Sequence, residues 1–488
     1  MNSIPVSLRT GVAALAAALL AACAQLPEGH QTPTALNADA LHLQSAATTW
    51  PDATWWKRFG DPTLDDLIAR ALADNPSLQV AQARVARAQA AAGIAGAARY
   101  PQVVANANST RERFTENSIY PPPLGGSINS MNAVDLNLSW ELDFFGKHKA
   151  ALESALGSAR SAQAEQQAAR IALAANVARA YYSLARLIAQ HDVAAAMLAQ
   201  REQTVTLVRE RVQAGLDTRV EFEQAQGGVP EMRQQLESYN EQIALARHAL
   251  AALIGAGPEA TAALAPVLDT SHPLAVPATV PAELIGRRAD IVAARWRVEA
   301  AREDVTVAKT QFYPNIDLVA FAGVSSLGLD NLFKSSSREF GAGPAISLPI
   351  FEGGRLRANL RARNADVDAA VASYNATLLD AVREVADLLV SSRSLQVQAQ
   401  EQAQAQAAAE TAYDLAVQRY RAGLGNYLTV LSAQTSVLAQ RRAAVDLKAR
   451  AWDLDVNLIR ALGGGFDAES AEVALHQTNT NSPTGAMQ

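Results

Sequence analysis

Two stretches of this 488-residue chain limit what it can become. Lys147–Gln213 and Arg355–Arg421 each run 67 residues without a proline, the first with one glycine, Gly157, and the second with none. Residues that end helices are missing, so each stretch reads as a single helix, about 100 Å long at 1.5 Å per residue. What comes before each helix is the opposite kind of element. In "VDLNLSWELDF", Val134, Leu136, Leu138, Trp140, Leu142 and Phe144 alternate with Asp135, Asn137, Ser139, Glu141 and Asp143. Successive strand side chains point to opposite faces, so this is a strand with one apolar and one polar side. Phe340, Ala342, Pro344, Ile346, Leu348 and Ile350 form its counterpart ahead of the second helix.

The counterpart is part of a repeat. "SLQVAQARVARAQAAAGIAGAARYP", ending at Pro101, parallels "DIVAARWRVEAAREDVTVAKTQFYP", ending at Pro314. "LDFFGK" at 142–147 parallels "IFEGGR" at 350–355, and "RERVQAGL", ending at Leu216, parallels "VQRYRAGL", ending at Leu424. Two repeats are therefore expected. The first, 62–254, holds a helix, strands at about 102–113 and 132–144, the long helix 147–213 and a return helix. The second, 283–463, holds a helix, strands at about 315–325 and 338–350, the long helix 355–421 and a return helix. An equatorial linker, 255–282, joins them, and 464–488 is a tail whose end reads as disordered. Within the long helices, Leu173, Val177, Tyr181, Leu184 and Ile188 match Tyr374, Leu378, Val382, Val385 and Leu389, a narrow seam for partner helices. These stripes alone are equally those of a lone antiparallel coiled coil.

The formal net charge is −6, so there is no basic footprint for nucleic acid. The seven histidines are scattered without a metal-binding motif, and Gly463-Gly464-Gly465 ends a helix rather than opening one, which disfavours an enzyme. At the N-terminus, Arg9 precedes an apolar run from Gly11 to Ala22 that is too short to span a bilayer, so 1–22 reads as a signal peptide. It ends in Leu20-Ala21-Ala22-Cys23, which contains the only cysteine of the chain and resembles the bacterial lipobox. That resemblance implies diacylglycerol and an N-acyl chain on Cys23, a lipidated segment 23–61, and sorting to the outer membrane, since Ala24 rather than Asp follows. No other cofactor is expected.

Four strands cannot close a barrel by themselves, and an open sheet is an association hazard in water and untenable in lipid. Closure by identical neighbours follows; the number of copies does not. Taken with "WWKRFGDPTLDDLI" at Trp55–Ile68, "PAELIGRRADIVAARWRVEAA" at Pro281–Ala301, "ELDFFGK", "LPIFEGGR" and the two Ala-Gly-Leu turns, the chain resembles the TolC-like outer-membrane efflux factors, in their lipoprotein (NodT/OprM-type) branch. The resemblance implies a membrane α+β fold: a homotrimer with a twelve-stranded transmembrane β-barrel, four strands per chain, continued by a periplasmic α-helical coiled-coil barrel. It implies a passive exit duct for small toxic compounds or drugs, a periplasmic adaptor as partner, and an inner-membrane pump of the RND or MFS type. A duct for type I protein secretion and a pore-less periplasmic scaffold are the alternatives.

The resemblance also assigns roles. Gly215, Leu216, Gly423 and Leu424 would be adaptor-facing tips, although glycine at a helix end is also plain turn chemistry. Asp217, Arg219, Glu221, Arg419 and Arg421 would form an entrance gate, with Asp217 or Glu221 linked to Arg419 or Arg421. Asp135, Asn137, Ser139, Glu141 and Asp143 would line the barrel lumen and favour cations. Two departures stand out. Ala289 replaces the family's proline in Arg287-Arg288-Ala289-Asp290-Ile291, leaving that helix start less sharply fixed. Gly227-Gly228-Val229-Pro230 interrupts the first return helix, where a kink is expected.

Overall fold

The computed structural model describes residues 30–44, 50–117, 119–268, 277 and 279–468. The expected signal peptide 1–22, Cys23, residues 269–276 of the expected linker and the tail from 469 on lie outside the described residues. In chain order the elements are α1 (Pro62–Asp74), α2 (Pro76–Ala97), β1 (Gln102–Arg113), β2 (Ile128–Glu141), α3 (Lys147–Gln213) and α4 (Arg219–Leu253). There follow α5 (Leu284–Arg287), α6 (Ala289–Thr310), β3 (Asn315–Leu327), β4 (Arg338–Ser347), α7 (Arg355–Arg421) and α8 (Tyr427–Ala461). Both 67-residue helices are present with the expected ends. The chain forms two compact units, and these do not coincide with the sequence repeats: each draws on both.

One unit comprises Met1–Ala35, Arg84–Ala162 and Ala294–Tyr374. Its centre is an antiparallel sheet in the order β1-β2-β3-β4, leaving β1 and β4 as edges. Register fixes the faces. Val103, Ala105 and Ala107 share a side with Val134–Trp140 alternates, with Leu318, Ala320, Ala322 and Val324, and with Phe340, Ala342, Pro344 and Ile346. Leu136, Phe340 and Ile346 on this face are exposed in the chain. The opposite face carries Gln102, Asn106, Asp135, Asn137, Ser139, Glu141, Asp317 and Glu339, together with the apolar Val104, Val319 and Phe321, and none of its strand positions is Lys or Arg. From Leu142 and Ile316 to Val134 and Val324 the apolar band spans nine residues, about 27 Å along the strand, or about 20 Å at barrel tilt.

β2 begins earlier than expected, at Ile128, and β3 runs on to Leu327, whereas two strands end early for local reasons. β2 stops at Glu141 because Asp143 leaves the ladder to cap α3: its carboxylate accepts the His148 and Lys149 amides at 3.1 and 2.8 Å. Gly146, at φ 77°, then turns the chain into the helix. β4 stops at Ser347, two residues short of Pro349, which has no N–H to give a ladder. Still within this unit, α3 and α6 pack closely, and a Cβ on Gly157 would stand 3.2 Å from the Ala300 methyl.

The second unit comprises Leu36–Ala83, Gln163–Ala293 and Asn375–Gln488. Trp55 and Trp56 are buried there, and Phe59 lies edge-on to Tyr182 and Trp452, which stack at 4.1 Å. Asp61 opens α1 by accepting the Thr63 and Leu64 amides, with Pro62 in the first turn, where its missing N–H is harmless. Along the seam Val177, Tyr181, Leu184, Leu378, Val385 and Leu389 are buried. The break before α6 is sharp despite Ala289. Arg288 is extended, and its guanidinium grips Asp290 at 3.1 and 2.7 Å, Glu384 at 2.8 Å and the Ala461 carbonyl at 3.3 Å. A side-chain clamp thus sets the boundary that proline would otherwise set. Pro230 does not end α4, which continues through it.

Gly157→Leu is expected to force α3 and α6 apart, destabilising the fold by about 1–3 kcal/mol, while Gly157→Ala has a smaller effect. Thermal unfolding followed by circular dichroism checks this; an unchanged midpoint in the leucine variant contradicts the close approach.

Candidate functional site at the helical tips

The turns joining α3 to α4 and α7 to α8 are built alike from main-chain atoms. Gly215 and Gly423 take left-handed conformations, φ 73° and 77°, which a Cβ disfavours. The Gly215 amide donates to the Val212 carbonyl and the Leu216 amide to the Arg211 carbonyl, at 3.1 and 2.9 Å. The same pair recurs from Gly423 to Tyr420 and from Leu424 to Arg419, at 3.0 and 2.8 Å. The leucine side chains take no part in these bonds, and Leu216 and Leu424 are 64% and 71% exposed. Each turn therefore presents one apolar side chain outward from a rigid loop.

The next residues differ. Thr218 caps α4 reciprocally with Glu221, whose carboxylate accepts the Thr218 amide at 2.9 Å, whereas Asn426 caps α8 through the Thr429 amide at 3.0 Å. The first turn also has Asp217 where the second has Gly425. Asp217 accepts a bond from Arg211 Nε at 2.9 Å and another from the Tyr420 hydroxyl. Arg211 in turn donates to the Tyr420 carbonyl at 2.9 Å and lies over the Tyr420 ring, 4.5 Å from its centre. The Arg211 and Asp217 side chains are each only 11% exposed, and Tyr420 is fully buried. Burial pushes the Asp217 carboxyl up, but the bonds from Arg211 and Tyr420 outweigh it and hold the group below the usual carboxylate range. Burial, reinforced by the bond to Asp217, pushes the Tyr420 phenol up.

Within the chain, then, Asp217 is not linked to Arg419 or Arg421, and Glu221 is occupied as a cap. Tyr420 sits on the buried face of α7, and a step of one residue either way turns about 100° around the helix, leaving Arg419 and Arg421 exposed. Arg219 makes an exposed pair with Glu223 at 3.6 Å, and Arg419 reaches the Leu424 carbonyl at 3.5 Å. Sequence reasoning gave Arg211 no role in the gate and missed Tyr420, which reads as one more apolar position of the seam.

On the sheet, Asp135, Asn137, Ser139 and Glu141 do share one face, whereas Asp143 does not belong to it, being the α3 cap. Asn106 donates to Asp135 at 3.1 Å, and Lys147 donates to Glu141 at 2.9 Å. Among the described residues no group of three or more His, Cys, Asp or Glu is placed to hold a metal ion, and no helix is long and apolar enough to cross a membrane.

Comparison with known proteins gives a consistent result. The outer membrane efflux protein family matches residues 67–256 and 280–464, the two repeats in turn. The fusaric acid resistance protein FusA of Burkholderia cepacia is 41% identical over 359 residues, 72% of this chain and 68% of FusA. The multidrug resistance outer membrane protein MdtP of Escherichia coli K12 is 34% identical over 439 residues, 88% of this chain and 90% of MdtP. Among solved structures, the outer membrane protein VceC of Vibrio cholerae superposes with a TM-score of 0.82 at 41% identity, covering 86% of this chain and 100% of VceC.

The tip contact has a pH signature. A carboxyl whose folded value is depressed contributes stability above its unfolded value, and that contribution is lost as pH falls through the folded one. Protection of the Gly423 and Leu424 amides from hydrogen exchange should therefore hold at neutral pH and decline below about pH 4. Asp217→Asn is expected to lower it roughly tenfold at neutral pH and remove that acid dependence. Exchange measured on both proteins, corrected for intrinsic rates, decides; equal protection in the two rules the contact out as a tip fastener.

Proposed function

The chain belongs to the outer membrane efflux protein family, and from that premise we propose that it is the exit duct of a tripartite efflux system, passive and driven by a partner pump. The observation that carries this reading is the four-stranded sheet with two open edges, one apolar face and an opposite face whose only charged residues are acids. Such a sheet suits hydrocarbon only within a closed ring. Three copies of four strands make twelve, wide enough for a water-filled lumen. In that ring β1 of one copy pairs with β4 of the next, the apolar face meets lipid, and Asp135, Asn137, Ser139 and Glu141 face water with Asp317 and Glu339. A lumen of that charge favours cations.

In this reading the long helices of the three copies close into a periplasmic barrel whose mouth carries the tips. Gly215-Leu216 and Gly423-Leu424 meet a periplasmic adaptor, the leucines supplying apolar anchors and the exposed turns supplying backbone. The adaptor couples the duct to an inner-membrane pump of the RND or MFS type. The Arg211–Asp217–Tyr420 contact fastens the mouth in its closed form. Relatives named for fusaric acid and multidrug resistance support small toxic compounds as cargo. Cys23 carries the diacylglycerol and N-acyl chain that hold the N-terminus in the outer membrane, more than one acyl chain being needed for stable anchoring.

Detergent-extracted protein added to planar bilayers is expected to run as a trimer and to give discrete, cation-preferring conductance steps. A water-soluble monomer without channel activity contradicts the duct. Incorporation of labelled palmitate is expected in the wild type and absent in Cys23→Ser; label retained by the variant sinks the anchor assignment.

A further inference from the structure

Gly227-Gly228-Val229-Pro230 in α4 aligns with Thr435-Ser436-Val437-Leu438 in α8, an ordinary helical sequence. Pro230 has no N–H to give the Gln226 carbonyl, and the two glycines leave the backbone without side-chain walls, so the helix is loosened here even though it continues. The notch is filled from α3. Arg201, 9% exposed, donates through Nη1 to the Gly228 carbonyl at 2.7 Å and to the Glu231 carboxylate at 2.8 Å. A Cβ at Gly228 would stand 2.9 Å from that nitrogen, so the glycine is what admits the guanidinium. The position aligned with Arg201 in α7 is Ala409, also buried and uncharged. The first helix pair thus holds a buried cation where the second has plain small-residue packing, 14 residues before Gly215 and about 20 Å along the helix.

What this contact governs lies between it and the turn. Arg219–Gln226 makes about two helical turns, with Ala225 its one fully buried residue, and it begins directly after Asp217 and Thr218. A stretch so thinly anchored takes its position from its two ends, the Thr218 cap and the notch. The charge of Arg201 is also felt at the start of α8, where it opposes the upward push that burial gives the Tyr427 phenol.

We propose that Arg201 is a positioning residue for the entrance: gripping α4 at Gly228, it holds the tip-proximal end of that helix so that Asp217 meets Tyr420, and Gly227–Pro230 is the hinge on which this end moves when the mouth opens. The proposal rests on the reading of the tips as the periplasmic mouth. Arg201 acts through Asp217 and touches no cargo.

Single-channel recordings on the full-length trimer test it, with Arg201→Gln, Arg201→Lys, Gly228→Ala, Asp217→Asn and the double variant Arg201→Gln/Asp217→Asn. Loss of one buried charged grip should raise the open fraction of Arg201→Gln roughly three- to tenfold. Gly228→Ala, which displaces the guanidinium, should shift it the same way, and Arg201→Lys should restore much of the closed behaviour. Because both residues act on one contact, the double variant should open no more than Asp217→Asn alone. Should Asp217→Asn open the channel while Arg201→Gln and Gly228→Ala leave it unchanged, the gate reading survives and the positioning role is overturned. Additive effects in the double variant overturn it too, as does a channel whose open fraction responds to none of these changes; in that last case the gate assignment falls with it.

Discussion

Along the outer sides of β1 and β4 run backbone N–H and C=O groups that no strand among the described residues pairs. In water these edges invite adhesion to any passing strand, and in hydrocarbon each unmade bond costs several kcal/mol. A sheet with one apolar and one ionised face cannot bury both sides in either solvent. Curving it until its first and last edges meet those of identical copies answers both demands at once, with lipid outside and water inside. The strands then lead into α3 and α7 through short segments that end in Gly146 and Gly354, both at positive φ. Closure, lumen and passive conduction are consequences of the same unpaired groups.

Much of this was legible because the relevant signals are local. A period of two over Val134–Glu141 marks the faces, and the missing prolines mark the long helices to the residue. What escaped depends on contacts between distant segments. Asp143 continues the alternation perfectly in the sequence, yet its carboxylate is taken by amides that exist only once α3 has formed. Tyr420 looks like a seam aromatic, and only the placing of the two turns side by side brings it to an aspartate 203 positions earlier. Arg288 replaces the missing proline as a boundary through partners on other helices, which no local pattern announces. Arg201 is indistinguishable in the sequence from the solvated arginines around it.

The two repeats share backbone geometry and differ in what hangs from it. Their turns superpose in kind, bond for bond, yet the first adds an acid that reaches across to the second, and the first return helix carries a notch that the second lacks. Duplication supplied two copies of one scaffold; divergence made one copy the fastener and the other the fastened. The compact units, each assembled from both repeats, show that neither copy folds around a core of its own.

Each Ala-Gly-Leu turn closes on itself through carbonyl and amide groups and a left-handed glycine, and the leucine side chains it displays make none of those bonds. Leu216 and Leu424, exposed and outside those bonds, carry little responsibility for stability. Their identity is therefore free to drift at little thermodynamic risk, so a lineage can retune whom it docks with while the scaffold beneath stays as it is.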